Sequence, residues 1–168
     1  MIALDTAAEM DVLHGLLRDY IHFVTGEMER AFGVVIPAEE ELERTIAHLD
    51  DLVPPRGRAL MASQAGQPIG MVFLRPCGTD ALELKRLYVT PAGRGSGAGR
   101  ALVARALDMA RDMGANAVYL DSTRNLTAAA RLYESFGFEY TDAFPGSDHV
   151  AIGSPLTPYM TFMRKDLT

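Results

Sequence analysis

The stretch PAGRGSGAGRAL, Pro91 to Leu102, places four glycines and two arginines in twelve residues, immediately before an apolar helical pattern. A helix N-terminus presents amide N–H groups that have no intrahelical partner and a partial positive charge, and the two together attract anions. Gly95, Gly97 and Gly99 would let the main chain approach such a ligand closely, while Arg94 and Arg100 could add phosphate-directed donors. The chemistry on offer is phosphate binding, with the ligand still open. A nucleoside-triphosphate loop would need lysine followed by serine or threonine after the last glycine, where this chain has Arg100 and Ala101. A dinucleotide fold has more in its favour, because the glycines follow a strand pattern and Asp121 ends the next one, where a ribose-binding acid would fall. GSGAG, however, does not place its third glycine at the G-x-G-x-x-G spacing, and the antiparallel strands expected upstream do not belong to that fold.

The elements that must position this turn can be read from periodicity. TAAEMDVLHGLLRDYIHFVTGEME spaces Leu13, Leu16, Leu17, Tyr20, Ile21 and Val24 as one face of a helix. A second helix begins at Pro37, has acids in its first turn and a stripe of Leu42, Ile46 and Leu49, and is stopped by VPPRG. RALMASQ, PIGMVFL and ALELKRLYV are short strand patterns whose links, AGQP and PCGTD, suit antiparallel neighbours. The helix after the glycine turn carries Leu102, Val103, Ala106, Leu107 and Ala110 and ends at Gly114. AVYLDS then reads as a strand, LTAAARLYESF as a helix capped by Asn125 or Thr127 and closed by Gly137, and FEY and PYMTFMR as final strands. The predicted order is helix, helix, three antiparallel strands, helix, strand, helix, strand, strand. The crossover through residues 94–114 makes the sheet mixed. Residues 142–157, DAFPGSDHVAIGSPL with its flanks, form a long loop of the kind that often carries function.

Composition narrows the classes. The chain has 168 residues, 48% hydrophobic and 23% charged, which suits a single globular domain spanning 1–168. No apolar run is long enough for a transmembrane helix and the N-terminus does not resemble a signal peptide, so a cytoplasmic location is expected, with no membrane partner. The single cysteine, Cys77, cannot form an internal disulfide, and no metal-ligand set is visible. The net charge of -6 argues against a nucleic-acid partner. That charge is uneven: residues 1–51 hold twelve acids and three arginines, whereas residues 52–168 hold ten acids and thirteen bases.

LKRLYVTPAGRGSGAGRALVARALDMARDMGANAVYLDST, followed by AARLYESFGFE, resembles the GCN5-related N-acetyltransferase (GNAT) superfamily. Arg94-Gly95-Ser96-Gly97-Ala98-Gly99 fits that family's signature of Arg or Gln, two residues, Gly, one residue, then Gly or Ala. Leu132-Tyr133-Glu134-Ser135-Phe136-Gly137-Phe138 matches its later L-Y-x-x-x-G-F element, and the inferred element order is the family's. The resemblance implies a single-domain α/β fold with a mixed, mostly antiparallel central sheet and helices on both faces. It implies acetyl-CoA as the cofactor, with the acetyl group moved to a primary amine by direct attack in a ternary complex. The main chain of Arg94, Gly95, Ser96, Gly97, Ala98, Gly99 and Arg100 would then cradle the coenzyme A pyrophosphate. Leu87, Tyr88 and Val89 would pair with the pantetheine arm as an added strand, and one of their N–H groups would stabilise the oxyanion.

Two side chains carry the implied catalysis. An alkylammonium has a pKa of about 10 and must lose a proton before it attacks. Glu83, six residues before Val89 as in the histone-acetylating branch, is the implied base, and strict alternation would put it on one face with Leu87 and Val89. Tyr133 matches the tyrosine that protonates the departing thiolate; the alternative is a packed tyrosine. The family often places an asparagine seven residues before that tyrosine, where this chain has Leu126. Asn125, one residue early, is either a cofactor contact or a helix cap. Asp148 and His149 lie in the loop that borders the acceptor side, and Lys85 and Arg86 could meet phosphate or a substrate carboxylate or be surface charges. His14 and His22 fit a helix surface. The acidic first helices would wall the acceptor side and favour a small cationic amine, a polyamine or a basic peptide terminus. A non-catalytic acyl-CoA-binding module is the competing class, and a homodimer through the C-terminal strand edge is a further expectation.

Overall fold

The computed structural model describes residues 1–6, 9–151 and 154–168. The strand PIGMVFL is apolar at nearly every position because both of its faces are covered. Within β3 (Gln67–Pro76), Ile69, Val72 and Leu74 enter one core cluster, and Met71 and Phe73 enter another on the opposite face. β2 (Arg58–Gln64) and β4 (Ala81–Val89) flank it antiparallel. β4 then pairs parallel with β5 (Ala117–Thr123), as the crossover requires. β6 (Glu139–Thr141) and β7 (Met160–Asp166) complete the far side, with β7 inserted between β5 and β6. The seven-stranded order is β1-β2-β3-β4-β5-β7-β6, with every neighbouring pair antiparallel except β4 with β5.

The first strand is a correction to the sequence reading. β1 (Ile2–Asp5) pairs antiparallel with β2, although its four residues show no usable alternation. Pairing with an exposed edge, rather than patterning, makes it a strand. α1 (Met10–Phe32) ends at Gly33 in the left-handed region, and α2 (Ala38–Ala47) takes Pro37 as its N-cap, so it begins one residue later than expected. Together they cover the Met71–Phe73 face through Leu13, Leu16, Leu17, Ile21 and Leu42. α3 (Ala98–Asp112) and α4 (Thr127–Ser135) lie on the other face, burying Leu102, Val103, Ala106 and Tyr133 against Val72 and Leu74. Leu126 is the N-cap of α4 and no side chain caps it, so neither Asn125 nor Thr127 takes that role. The predicted 142–157 loop holds a one-turn helix, α5 (Asp148–Ala151); Ile152 and Gly153 lie outside the described residues.

A bulge in β4 decides which residues share a face. Met71 pairs with Tyr88 but Phe73 pairs with Lys85, so β4 carries one extra residue opposite Val72. Arg86 takes it up with φ at 53°, a left-handed value that side chains other than glycine seldom adopt. Leu82 and Leu84 face α3, and beyond the bulge so do Leu87 and Val89. Glu83 and Lys85, opposite Arg75 and Phe73, face α1, as does Tyr88. The expectation that Glu83 shares a face with Leu87 and Val89 therefore fails: the inserted residue reverses the alternation.

Candidate active site

β4 and β5 are paired only at Ala81–Ala117, Leu82–Val118 and Glu83–Tyr119. Beyond that point β4 stays with β3 as far as Val89, and β5 stays with β7 as far as Thr123. The strands separate, and among the described residues the β5-side edge of Leu87, Tyr88 and Val89 has no strand partner. An extended ligand could add itself there as a strand would.

The glycine turn lies at the end of β4. Thr90 begins it, its side-chain oxygen and carbonyl both accepting from the Gly93 amide, at 3.3 and 2.9 Å. Gly93 has to be glycine because a Cβ there would stand 2.8 Å from the Ile69 Cβ. Ser96 closes the turn by donating to the Gly93 carbonyl at 2.6 Å and accepting from the Ala98 amide at 3.3 Å. Gly97, with φ at 89°, then begins α3, and the first α-helical bond runs from Ala101 to Gly97 at 3.0 Å. Among the described residues, the amides of Gly95, Gly97, Gly99 and Arg100 find no acceptor. Arg94 rests over the Phe23 ring of α1 at 5.0 Å and Arg100 over Phe136 at 5.1 Å, so a cation stands on each flank of the turn. Four free amides, a helix N-terminus and two guanidinium groups fit a pyrophosphate. Among the described residues no three His, Cys, Asp or Glu side chains are grouped to hold a metal ion.

Glu83 is 0% exposed and held at both oxygens. Arg75 Nε donates to Oε2 at 2.7 Å and Lys85 Nζ to Oε1 at 3.0 Å. Asp148 closes the set from the loop, accepting from Arg75 Nη2 at 2.8 Å and from Lys85 Nζ at 3.0 Å. Burial pushes the Glu83 carboxyl above its ordinary pKa, and the Asp121 charge adds to this against the pull of Lys85 and Arg75. Burial also pushes Asp148 up, but attraction to Lys85 and the bonds from both cations outweigh it and bring that carboxyl to about 2. Arg75 Nη2 also donates to the Gly146 carbonyl at 3.0 Å, and Ser147 donates to Asp121 at 2.9 Å, so residues 146–148 are fastened across β3, β4 and β5.

Tyr133 occupies the last turn of α4, buried edge-on against Phe138 at 5.8 Å between ring centroids. Burial lifts its phenol well above the ordinary value, and Tyr20 of α1 and Asp121 of β5 reinforce the shift. Asp121 therefore acts electrostatically on both Glu83 and Tyr133, linking the two expected catalytic groups. Asn125 donates from Nδ2 to the Glu27 carbonyl and to its Oε2, both at 3.4 Å, which ties the β5–α4 turn to α1; its Oδ1 is buried without a partner. His22 bonds Glu39 at 2.9 Å on the exposed surface, away from these groups. Sequence reasoning missed Arg75, Tyr20 and the bridging position of Asp121. Arg75 could have been found from hairpin register, since the short link puts it opposite Glu83.

A family model, described as the acetyltransferase (GNAT) family, matches residues 21–138. An uncharacterized N-acetyltransferase of Schizosaccharomyces pombe is 38% identical over 54% of this chain and 57% of its own, so this chain spans little more than half of that relative's length. An IAA acetyltransferase of Azospirillum brasilense is 31% identical over 73% of this chain and 78% of its own. Among solved structures, the PaiA N-acetyltransferase of Thermoplasma acidophilum in complex with coenzyme A superposes with a TM-score of 0.73. It covers 99% of both chains at 17% identity, a likeness of fold. Among the described residues no helix is long and apolar enough to cross a membrane.

Proposed function

The chain belongs to the GNAT family of acetyltransferases, and from that premise we propose that it is a single-domain N-acetyltransferase using acetyl-CoA to acetylate the primary amine of a small cationic acceptor. The observation that carries the proposal is the set of four partnerless amides at the start of α3, between Arg94 and Arg100. The PaiA neighbour, a coenzyme A complex by its description, supports the choice of cofactor. The turn from Arg94 to Arg100, Ser96 and Ala98 included, would hold the pyrophosphate, and the open edge at Leu87, Tyr88 and Val89 the pantetheine arm. Asn125, with an unpartnered Oδ1, would offer that arm one more acceptor. Bound there, the thioester supplies an electrophilic acyl carbon to an amine in the same complex.

The residues around the cleft then handle two protons. Glu83 is the internal base: burial raises its affinity for a proton, and Lys85 connects it to the half-exposed Asp148, which forms the outer end of the path. Tyr133 is the acid: its phenol is protonated at neutral pH and would donate to the departing thiolate. Acids on α1 and α2, such as Asp19, whose charge acts on Tyr88, would draw the acceptor's ammonium group.

The test is thiol release from acetyl-CoA against amino acids, polyamines, aminoglycosides and peptides, repeated with Glu83→Gln and Tyr133→Phe. General acid–base removal is expected to cost about 10²–10⁴-fold in turnover in each variant while coenzyme A still binds. Unchanged turnover in either variant would remove that residue's role. Binding without turnover across the panel would favour the acyl-CoA-binding module instead.

A further inference from the structure

The two adjacent cations of β4, Lys85 and Arg86, are treated differently by the fold. Lys85 is shared between Glu83 and Asp148. Arg86, one residue on, has no carboxylate within ion-pair distance among the described residues, and its Nε is buried with no hydrogen-bond partner. No other arginine among the described residues has a buried donor left in this state. Several other arginines lack an ion pair, but those can be solvated. An unpaired donor on a partly buried guanidinium is costly, because water is excluded and nothing replaces it.

Position adds to chemistry. Arg86 is the bulge residue itself, held at φ 53°, a left-handed value that is strained for a residue with a side chain. Its guanidinium lies 5.9 Å from the Tyr20 ring centroid, on the α1 side of the sheet, and Tyr20 in turn packs edge-on against Tyr88 at 6.1 Å. Arg86 is eight residues upstream of Arg94 and on the face bearing Glu83 and Lys85, away from the helix α3 that receives the pyrophosphate. On the opposite wall of the separated strands, Thr123 Oγ1 and Asn125 Oδ1 are also buried and unpartnered.

We infer that Arg86 binds a carboxylate of the acceptor, so that the substrate is an amine that also carries a carboxylate, an amino acid or a peptide end, rather than a simple polyamine. The inference rests on the N-acetyltransferase reading and narrows its substrate class. A guanidinium fork meets a carboxylate with two parallel donors, which fixes orientation as well as charge. Arg86 would thereby hold the far end of the acceptor while its amine faces the Glu83 and Tyr133 groups.

The experiment uses matched probes differing only in the carboxylate: lysine against cadaverine, and ornithine against putrescine. Binding to the full chain is followed by calorimetry in the presence of coenzyme A, and turnover by thiol release, for wild type, Arg86→Gln and Arg86→Lys. A charge-assisted contact of this kind corresponds to about ten- to a hundredfold in affinity. Arg86→Gln is therefore expected to cut lysine and ornithine binding by that factor and leave cadaverine and putrescine unchanged, with Arg86→Lys in between. Coenzyme A affinity should not move. Equal losses for both members of a pair, no loss for either, or no binding of lysine or ornithine to the wild type would overturn the inference. A loss of coenzyme A affinity in Arg86→Gln would overturn it too, by assigning Arg86 to a phosphate. Arg86-dependent binding of lysine without any thiol release would leave the carboxylate site standing and overturn the catalytic reading instead.

Discussion

The Arg75–Glu83–Lys85–Asp148 network makes a prediction in which burial fixes the order of two costs. Glu83 is fully buried, so Glu83→Gln removes a charge from two cations that have little water to fall back on. Breaking a buried pair by deleting one partner costs about 3–5 kcal/mol, and the low end, about 3 kcal/mol, applies because Asp148 still compensates both cations. Asp148 is 50% exposed. The fall of its carboxyl from 3.8 to about 2 corresponds to about 2 kcal/mol at full weight, and screening by solvent reduces this to about 1 kcal/mol. For a domain of this size the two costs translate into losses of about 6–12 °C and about 2–4 °C in Tm. The sign with pH also follows. Asp148 has a depressed pKa in the folded state, so its contribution is complete above the unfolded value near 3.8 and is lost as pH falls toward 2. Urea unfolding of wild type, Glu83→Gln and Asp148→Asn at pH 7, 5, 4 and 3 measures all of this. Asp148→Asn should be the milder variant at pH 7 and should converge on wild type as the pH falls below 4. An Asp148→Asn cost that equals or exceeds that of Glu83→Gln, or one that does not change with pH, would refute the reasoning.

Three further outcomes are expected. Cys77 is 7% exposed and its thiol is pushed up by burial and by Glu83, so the native protein should react with thiol reagents at neutral pH far more slowly than the urea-unfolded chain; equal rates would show the site is open. Tyr133 holds its proton well above the ordinary phenol value, so the pH–rate profile should show no falling limb from this group up to pH about 10; a limb near pH 8 that disappears in Tyr133→Phe would contradict this. An acceptor of net positive charge should lose kcat/KM as salt rises from 0.01 to 0.5 M, across which screening shortens from about 30 Å to a few ångströms. A flat response would remove the steering role of α1 and α2.

The parts of the fold legible in the sequence are those set by local chemistry. Gly95 and Gly97 both have positive φ, which is what a glycine-rich entry to a helix signals, and the helix and strand patterns from Arg58 to Gly137 reappear as β2 to α4. The features that escaped are set by partners distant in sequence. β1 exists because β2 offers an edge, and IALD alone contains no sign of it. The bulge at Arg86 leaves no mark in LKRLYV, yet it moves Glu83 to the other face from Leu87 and Val89. Asp148 meets Lys85 from 63 residues away and Arg75 from 73, separations that no local pattern spans. Glu83 was therefore singled out by position, while its pairing with Arg75 and Lys85 was not legible.

The central claim is that the free amides at the start of α3 receive the coenzyme A pyrophosphate, and it is tested most directly by titrating coenzyme A into wild type, Gly97→Asn and Gly97→Asp. Both substitutions put a side chain on the same left-handed residue, and asparagine and aspartate tolerate that region comparably, so charge is what separates them. Single-site binding is predicted for wild type, a modest weakening for Gly97→Asn, and a further loss of about tenfold for Gly97→Asp, whose carboxylate would repel the anion at the helix N-terminus. Wild-type protein that does not bind coenzyme A, or an aspartate variant that binds as well as the asparagine one, would contradict the account.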